Sequence, residues 1–273
     1  MPPATSRLIG GNSLATRSPW QVMWSVWSAL FLRESLARLF SKRGAWVWLL
    51  LEPVFHVAYL VFIFSVIRVR HVSGFDVGLW IVVGLLAYLT FTWVSGQTAN
   101  AINANRSLFS YRQVKPLDTV FVRAFLELLL LSVISLIVLF IGAMLGYDVL
   151  PHDPVAFLAA ILGMWVLAIG WGLVRAVAHD LVPELELVLD FFMKPMYIIS
   201  GVMVPLVSIS LPYRDWLMYN PIAQGVEAAR AGFSGAYHPV EGLSVFYLYA
   251  FAFTLFFFGI LLARRFATRL LTA

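Results

Sequence analysis

The groups in this 273-residue chain that could do chemistry are 14 acids and 5 histidines, with no cysteine. The densest gathering is Arg175, His179, Asp180, Glu184, Glu186 and Asp190 around Pro183. Neighbouring carboxylates could serve hydrolysis as they do in glycosidases, but the mixture of signs reads better as a salt-bridged collar or a contact with a partner. Glu52 and His56 stand one helical turn apart inside an apolar run and so share a face. They could begin a metal or proton site, yet spacing supplies no third ligand. Glu227 and Arg230, three residues apart, could pair across one helix face, or Arg230 could meet an anionic sugar. A lipid-linked glycosyltransferase would need acids around a metal-nucleotide site, and none of these groups forms a convincing one. Zero cysteines exclude disulfides and thiolate chemistry. No Gly-x-x-x-x-Gly-Lys-Ser/Thr loop occurs, so the usual P-loop cradle for nucleotide phosphates is missing. The expectation is a non-enzyme with no cofactor or metal of its own, any ATP being hydrolysed by another polypeptide.

The elements that position these groups are set by composition. The chain is 61% hydrophobic and 12% charged, with a mean hydropathy of +0.87, against roughly 45–50% apolar and about 25% charged for soluble domains. That is an all-α integral membrane protein. Its net charge of +5 does not imply nucleic acid, because the Lys and Arg flank apolar runs instead of lining a soluble face. A span takes about 20 mainly apolar residues, and six candidates lie near 45–67, 78–101, 121–146, 154–177, 187–207 and 243–263. The first 19 residues hold no apolar run of signal-peptide length, so the amino terminus is expected to stay cytoplasmic. Every Lys and Arg except Arg68, Arg70, Arg214 and Arg230 then falls on the inner side, which agrees with the rule that cytoplasmic loops are basic and puts both termini inside.

Residues 1–44 therefore read as a cytoplasmic amino-terminal region and 45–273 as a six-span membrane domain. Within the first, Trp20, Trp24, Trp27 and Phe31 recur at helical spacing, and Glu34 precedes Arg38 by four residues. That is the pattern of an amphipathic helix in the membrane interface, or of a cytosolic helix packed on a partner. An acid at the bilayer centre costs roughly 2.5–3.5 kcal/mol, so Glu52 should face protein or water. It reads as a canal or hinge residue beside Pro53, or as an interfacial acid paired with Lys42 or Arg43. Glu127 follows Arg123 by one turn, which permits a supporting helix pair. The 10 Trp, 10 Tyr and 22 Phe exceed what two interface belts demand, and rings can hold sugars by stacking. Tyr59, Tyr88, Trp93 and Trp165 are the canal candidates, with Gln97 and Asn100 as hydroxyl partners, though each taken singly reads better as lipid or core packing. Tyr213, Trp216, Tyr219 and Tyr237 read as belt aromatics. Residues 208–242, broken by Pro212, Pro221 and Pro239, suit short re-entrant helices at an outer mouth.

The basic connector from Asn105 to Asp118 contains Tyr111-Arg112-Gln113-Val114-Lys115-Pro116-Leu117-Asp118 and continues to Arg123 and Glu127. Together with Leu51-Glu52-Pro53, Ser200-Gly201-Val202, Pro205, Leu211-Pro212, Asn220-Pro221, Glu227 and Arg230, it resembles the permease subunits of ABC-2 type ABC exporters, in the version found in bacterial capsular polysaccharide exporters. O-antigen and teichoic-acid permeases, and ABC-2 exporters of smaller lipids or drugs, remain alternatives. The resemblance implies a homodimer in the bacterial inner membrane, bound to two copies of a separate P-loop ATPase that carries ATP and Mg. It also implies a lipid-linked polysaccharide as cargo, and periplasmic and outer-membrane export components beyond the membrane. Residues 105–118 would be the coupling loop, with Leu108, Phe109 and Tyr111 filling an apolar cleft and Arg106, Arg112, Lys115 and Asp118 orienting the joint. Pro205, Pro212, Asn220, Pro221, Glu227 and Arg230 would belong to the outer gate.

Overall fold

The computed structural model describes residues 18–40, 43–66, 71–182 and 184–267. Lys42, Pro183 and the orientation-marking Arg7, Arg17, Arg68, Arg70 and Arg269 lie outside them.

The chain runs through α1 (Pro19–Phe40), α2 (Ala45–Val66), a short hairpin of β1 (His71–Val72) and β2 (Phe75–Asp76), α3 (Val77–Ala99), α4 (Ala101–Ala104) and α5 (Pro116–Met144). Then come α6 (Pro154–Leu181), α7 (Glu184–Met193), α8 (Met196–Ile199), α9 (Tyr213–Leu217), α10 (Pro221–Phe233) and α11 (Val245–Arg265). Among the described residues, α2, α3, α5, α6 and α11 are long and apolar enough to cross a bilayer. The expected span at 187–207 is the exception. Its helix stops at Met193 and restarts only briefly at Met196, because Pro195 has no amide proton to continue the ladder. That passage is made in two pieces.

α3 is the centre of the bundle. Val77 to Phe91 is buried without interruption, as expected of a helix that is apolar all round. Its start is fixed by Asp76, whose carboxylate accepts from Gly78 N at 2.8 Å. α6 packs against α3 through Gly172, where a methyl would run into Thr98 and come within 2.9 Å of the Ser95 carbonyl. Against α11 it packs through Gly170 and Gly259, the close approach that small residues give apolar helices.

α5 has 29 residues, about 44 Å at 1.5 Å per residue, against a bilayer core of about 30 Å. The excess is at its start, where Asp118, Arg123 and Glu127 fall; Leu128 to Met144 carries no charge. α1 runs alongside this charged third, with Trp27 stacked on Phe121 and Phe31 against Phe125. One face of α1 buries Leu30 and Glu34, while Trp20, Trp24, Leu32, Leu36 and Phe40 remain exposed. At the opposite end, α10 is wedged between the first turns of α3 and α6. Gly225 lies against Met164 and Gly232 against the Phe157 backbone.

A Gly172→Ala chain should lose about 1–3 kcal/mol through overpacking at the α3–α6 contact. Gly96→Ala, whose Cβ meets nothing within 4 Å, should leave thermal unfolding in detergent unchanged or slightly raised.

Candidate functional site: the connector and the polar clusters behind it

The connector is a surface held rigidly from behind. After α4 it tightens into a 3-10 turn over Arg106–Ser110, with Leu108 N donating to Asn105 O at 2.9 Å and Tyr111 N to Leu108 O at 3.0 Å. Tyr111 is 66% exposed, and Arg112, Gln113 and Lys115 are exposed beside it. Leu108 and Phe109 are half-buried, Phe109 against the main core. Arg106 is turned back into an ion pair with Asp180 at the end of α6. Asp118 also serves the chain itself. One carboxylate oxygen accepts from Lys115 N at 3.0 Å, capping α5 after Pro116, and the other accepts from the Trp27 indole at 3.0 Å. Of the expected coupling residues, then, Tyr111, Arg112 and Lys115 present a free face, while Arg106, Phe109 and Asp118 hold that face in place.

Behind it lies a lattice of buried charge. Arg123 Nε reaches Glu34 at 2.8 Å and Arg38 Nε reaches Glu127 at 2.9 Å. The expected Arg123–Glu127 pair within α5 is thus replaced by two pairs across to α1. Asn105 is 0% exposed. It accepts from Arg33 and donates to Glu34 Oε1 at 2.7 Å and to the Ala101 carbonyl at 2.9 Å. Both ends of the connector are therefore bonded to α1, at Asn105 and at Asp118. The residues around Pro183 form a second network, with Arg175 bonded to Asp190 at 2.6 Å and lying 3.7 Å from Glu186, which also meets His179. Four of the six residues of the mixed-charge group thus pair among themselves, as a salt-bridged collar would, while Asp180 pairs with Arg106 on the connector.

The canal candidates divide. Glu52 and Trp93 line one cavity at the connector end, between α1, α2 and α3; among the described residues Glu52 has no ion-pair partner, and Lys42 lies outside them. Tyr59 is exposed on α2, whereas Tyr88 is buried and meets the Tyr197 ring edge-on at 5.2 Å. His56 Nε2 lies 2.9 Å from the Tyr197 hydroxyl, tying α2 to α8. The Trp165 indole donates to the Ala124 carbonyl at 2.9 Å, joining α6 to α5.

At the opposite end Glu227 and Arg230 pair at 3.3 Å, both fully buried. The Arg230 guanidinium sits 3.6 Å from the centre of the Trp80 ring. It donates to the carbonyls of Gly201 at 2.8 Å, Val202 at 3.2 Å and Trp80 at 3.2 Å. Glu227 accepts from the Tyr237 hydroxyl at 2.8 Å and from Val240 N at 3.4 Å. Burial pushes the Tyr237 phenol well above its ordinary pKa, so it stays a donor to the carboxylate. One arginine thus joins α10, α3 and the chain leaving α8. Asn220 caps α10 through Ile222 N at 3.0 Å and reaches Ser200 at 2.9 Å, with Pro221 as the first helical residue. Pro205 precedes a 3-10 turn at Leu206–Ser208, and Pro212, after a cis peptide bond, starts α9.

Four participants escape a sequence reading in whole or in part. Tyr237, read as a belt aromatic, is buried on Glu227, while Tyr213, Trp216 and Tyr219 are exposed. Nothing marks Trp80 among ten tryptophans, or Asn105 in a polar connector. Glu34 could have been found, since Glu34–Arg38 and Arg123–Glu127 share a four-residue spacing with signs reversed.

Fold and site together define a polytopic helical membrane protein in which the connector leading into α5 offers a braced cationic and aromatic face. Residues 25–234 match the family described as ABC-2 type transporter, and the chain belongs to that family. The polysialic acid transport protein KpsM of Escherichia coli is 34% identical over 261 residues, covering 94% of this chain and 99% of that protein. The capsule polysaccharide export inner-membrane proteins CtrC of Neisseria meningitidis serogroup A and BexB of Haemophilus influenzae are 28% and 26% identical. They cover 76% and 82% of this chain and 78% and 85% of their own lengths.

Arg230→Gln should cost about 3–5 kcal/mol, because it leaves the Glu227 carboxylate buried without its cation. Thermal unfolding should show Glu227→Gln/Arg230→Gln losing less than the single variant. In the lattice, Arg123→Glu should lower the yield of folded protein, and Glu34→Arg added to it should restore a substantial part.

Proposed function

We propose that this chain is the permease subunit of an ATP-driven exporter that carries a lipid-linked capsular polysaccharide across the bacterial inner membrane. Two copies would form the translocation path, and a separate P-loop ATPase, in two copies with ATP and Mg, would dock on the connector. The observation that carries the reading is the construction of that connector, which leaves Tyr111, Arg112 and Lys115 outward and unpartnered among the described residues while Asn105 and Asp118 lock its ends to α1. Aromatic anchors with cations at the rim are what a specific protein contact uses. The names of the similar proteins support the cargo, since KpsM is a polysialic acid transport protein and CtrC and BexB are capsule polysaccharide export inner-membrane proteins. The connector would then lie in the cytoplasm with both termini, and the end covered by α10 would face periplasmic and outer-membrane export components, Glu227 and Arg230 bracing the outer gate from within.

Reversing a charge at a docking rim sets like charges together and costs several kcal/mol. Arg112→Glu should therefore leave the amount of chain in the membrane unchanged while removing both the co-purifying ATPase and the surface polymer. A variant that keeps wild-type polymer and wild-type ATPase recovery would remove the connector from the docking role.

A further inference from the structure

The cavity holding Glu52 and Trp93 has a volume of about 690 Å³. Its wall is made by the last turn of α1, the first turns of α2 and the last turns of α3, and its chemistry is mixed. Arg38 and Arg43 supply positive charge, Trp48 and Trp93 supply ring faces, and Glu52 and Gln97 supply hydrogen-bonding oxygens. Arg43, Trp48 and Glu52 are exposed, and among the described residues neither Arg43 nor Glu52 has an ion-pair partner. The Arg38 guanidinium stands 5.9 Å from the centre of the Trp93 ring while its Nε holds Glu127. Next to this cavity, sharing Leu49 with it, is an apolar groove of about 330 Å³ between α1, α2 and α5, lined by Leu39, Phe40, Trp46, Leu130 and Val133 among others.

We propose that the two form one site for an amphipathic lipid with a glycosyl phosphate headgroup, whose phosphate draws Arg38 away from Glu127. The proposal rests on the export reading, because it gives that cargo an address on this chain. Each part of the ligand has a match. An anionic phosphate calls for the fork of donors that arginine presents. A sugar ring has an apolar C–H face suited to Trp48 or Trp93 and hydroxyls suited to Glu52 and Gln97. The presence of Glu52 among the arginines favours a headgroup with hydroxyls to donate over a bare phosphate, since a carboxylate accepts from a hydroxyl but repels an anion. The acyl chain has the adjoining groove. Arg38 belongs both to this site and to the ion-pair lattice that carries Asn105 and the connector, so the same side chain that meets the phosphate also sets how firmly α1 holds α5.

The test is equilibrium binding to the full chain in phosphatidylcholine nanodiscs. The probe is a tritiated alkyl glucosyl phosphate, compared with the matching alkyl glucoside and the plain alkyl phosphate. The glucosyl phosphate should bind tightest. Arg38→Gln and Arg43→Gln should each weaken it by about tenfold or more, the scale of one charge-assisted hydrogen bond. Trp93→Ala should weaken it as well. Glu127→Gln should tighten it, because Arg38 is then released from a competing carboxylate; a purely structural Arg38 would give the opposite sign. Equal affinity in wild type and in Arg43→Gln, a substitution at an exposed side chain, overturns the site. So does weakened binding in Glu127→Gln. Alkyl phosphate binding as well as the glucosyl phosphate would make it a general anionic-lipid site and overturn the assignment too. None of these results depends on whether cells lacking the chain keep their surface polymer, which is the result that would separately sink the export reading.

Discussion

A charge removed from water must find a partner, and in a chain with so few charged residues this rule decides which helices meet. Transferring an ion out of water costs several kcal/mol even after relaxation, and a partner with good geometry offsets it. Glu34, Glu127, Glu227 and Arg230 are all buried, and each is met by an opposite charge. Hydrophobic attraction between helices is absent in lipid, where packing and polar contacts supply the specificity. Glu34 and Arg38 therefore fix where α1 runs on α5, and Arg230 fixes where α10 sits between α3 and the chain leaving α8.

These two clusters stand at opposite ends of the bundle and are built differently. Near the connector the pairs are partly wet, with Arg38 and Arg106 still open to solvent. Such pairs can exchange partners at modest cost. At the other end Arg230 is sealed, its donors shared among three carbonyls and Glu227, with Trp80 beneath. Rearranging that cluster would strand several acceptors at once. The connector end is thus the adjustable one, and the far cluster is better suited to moving as a block.

How far the sequence anticipates this depends on the length scale of the signal. Long apolar runs predict α2, α3, α5, α6 and α11 because hydrophobic burial is additive along a helix and needs no knowledge of neighbours. The run 187–207 is apolar enough to read as one continuous span; what decides is the local loss of an amide proton at Pro195, beside Lys194. Tertiary pairing is a different matter. Glu127 reads as a partner for Arg123 one turn away, but both find better partners on α1, more than eighty residues distant in sequence. Glu227 and Arg230 are legible as a local pair, whereas the Trp80 ring and the Gly201 and Val202 carbonyls are not, since backbone acceptors leave no mark in a sequence.

Among the described residues the longest helix is α5, which exceeds the thickness of the bilayer core. α5 runs unbroken from its cap at Lys115 to Met144, with its connector end fastened to α1 and its far end leading to Tyr147, which packs beside Gly78 at the start of α3. A helix resists compression along its axis, so a displacement imposed at the connector end of α5 would be carried along the helix toward Met144. The passage through α7 and α8, interrupted between Met193 and Met196, has no such axial stiffness.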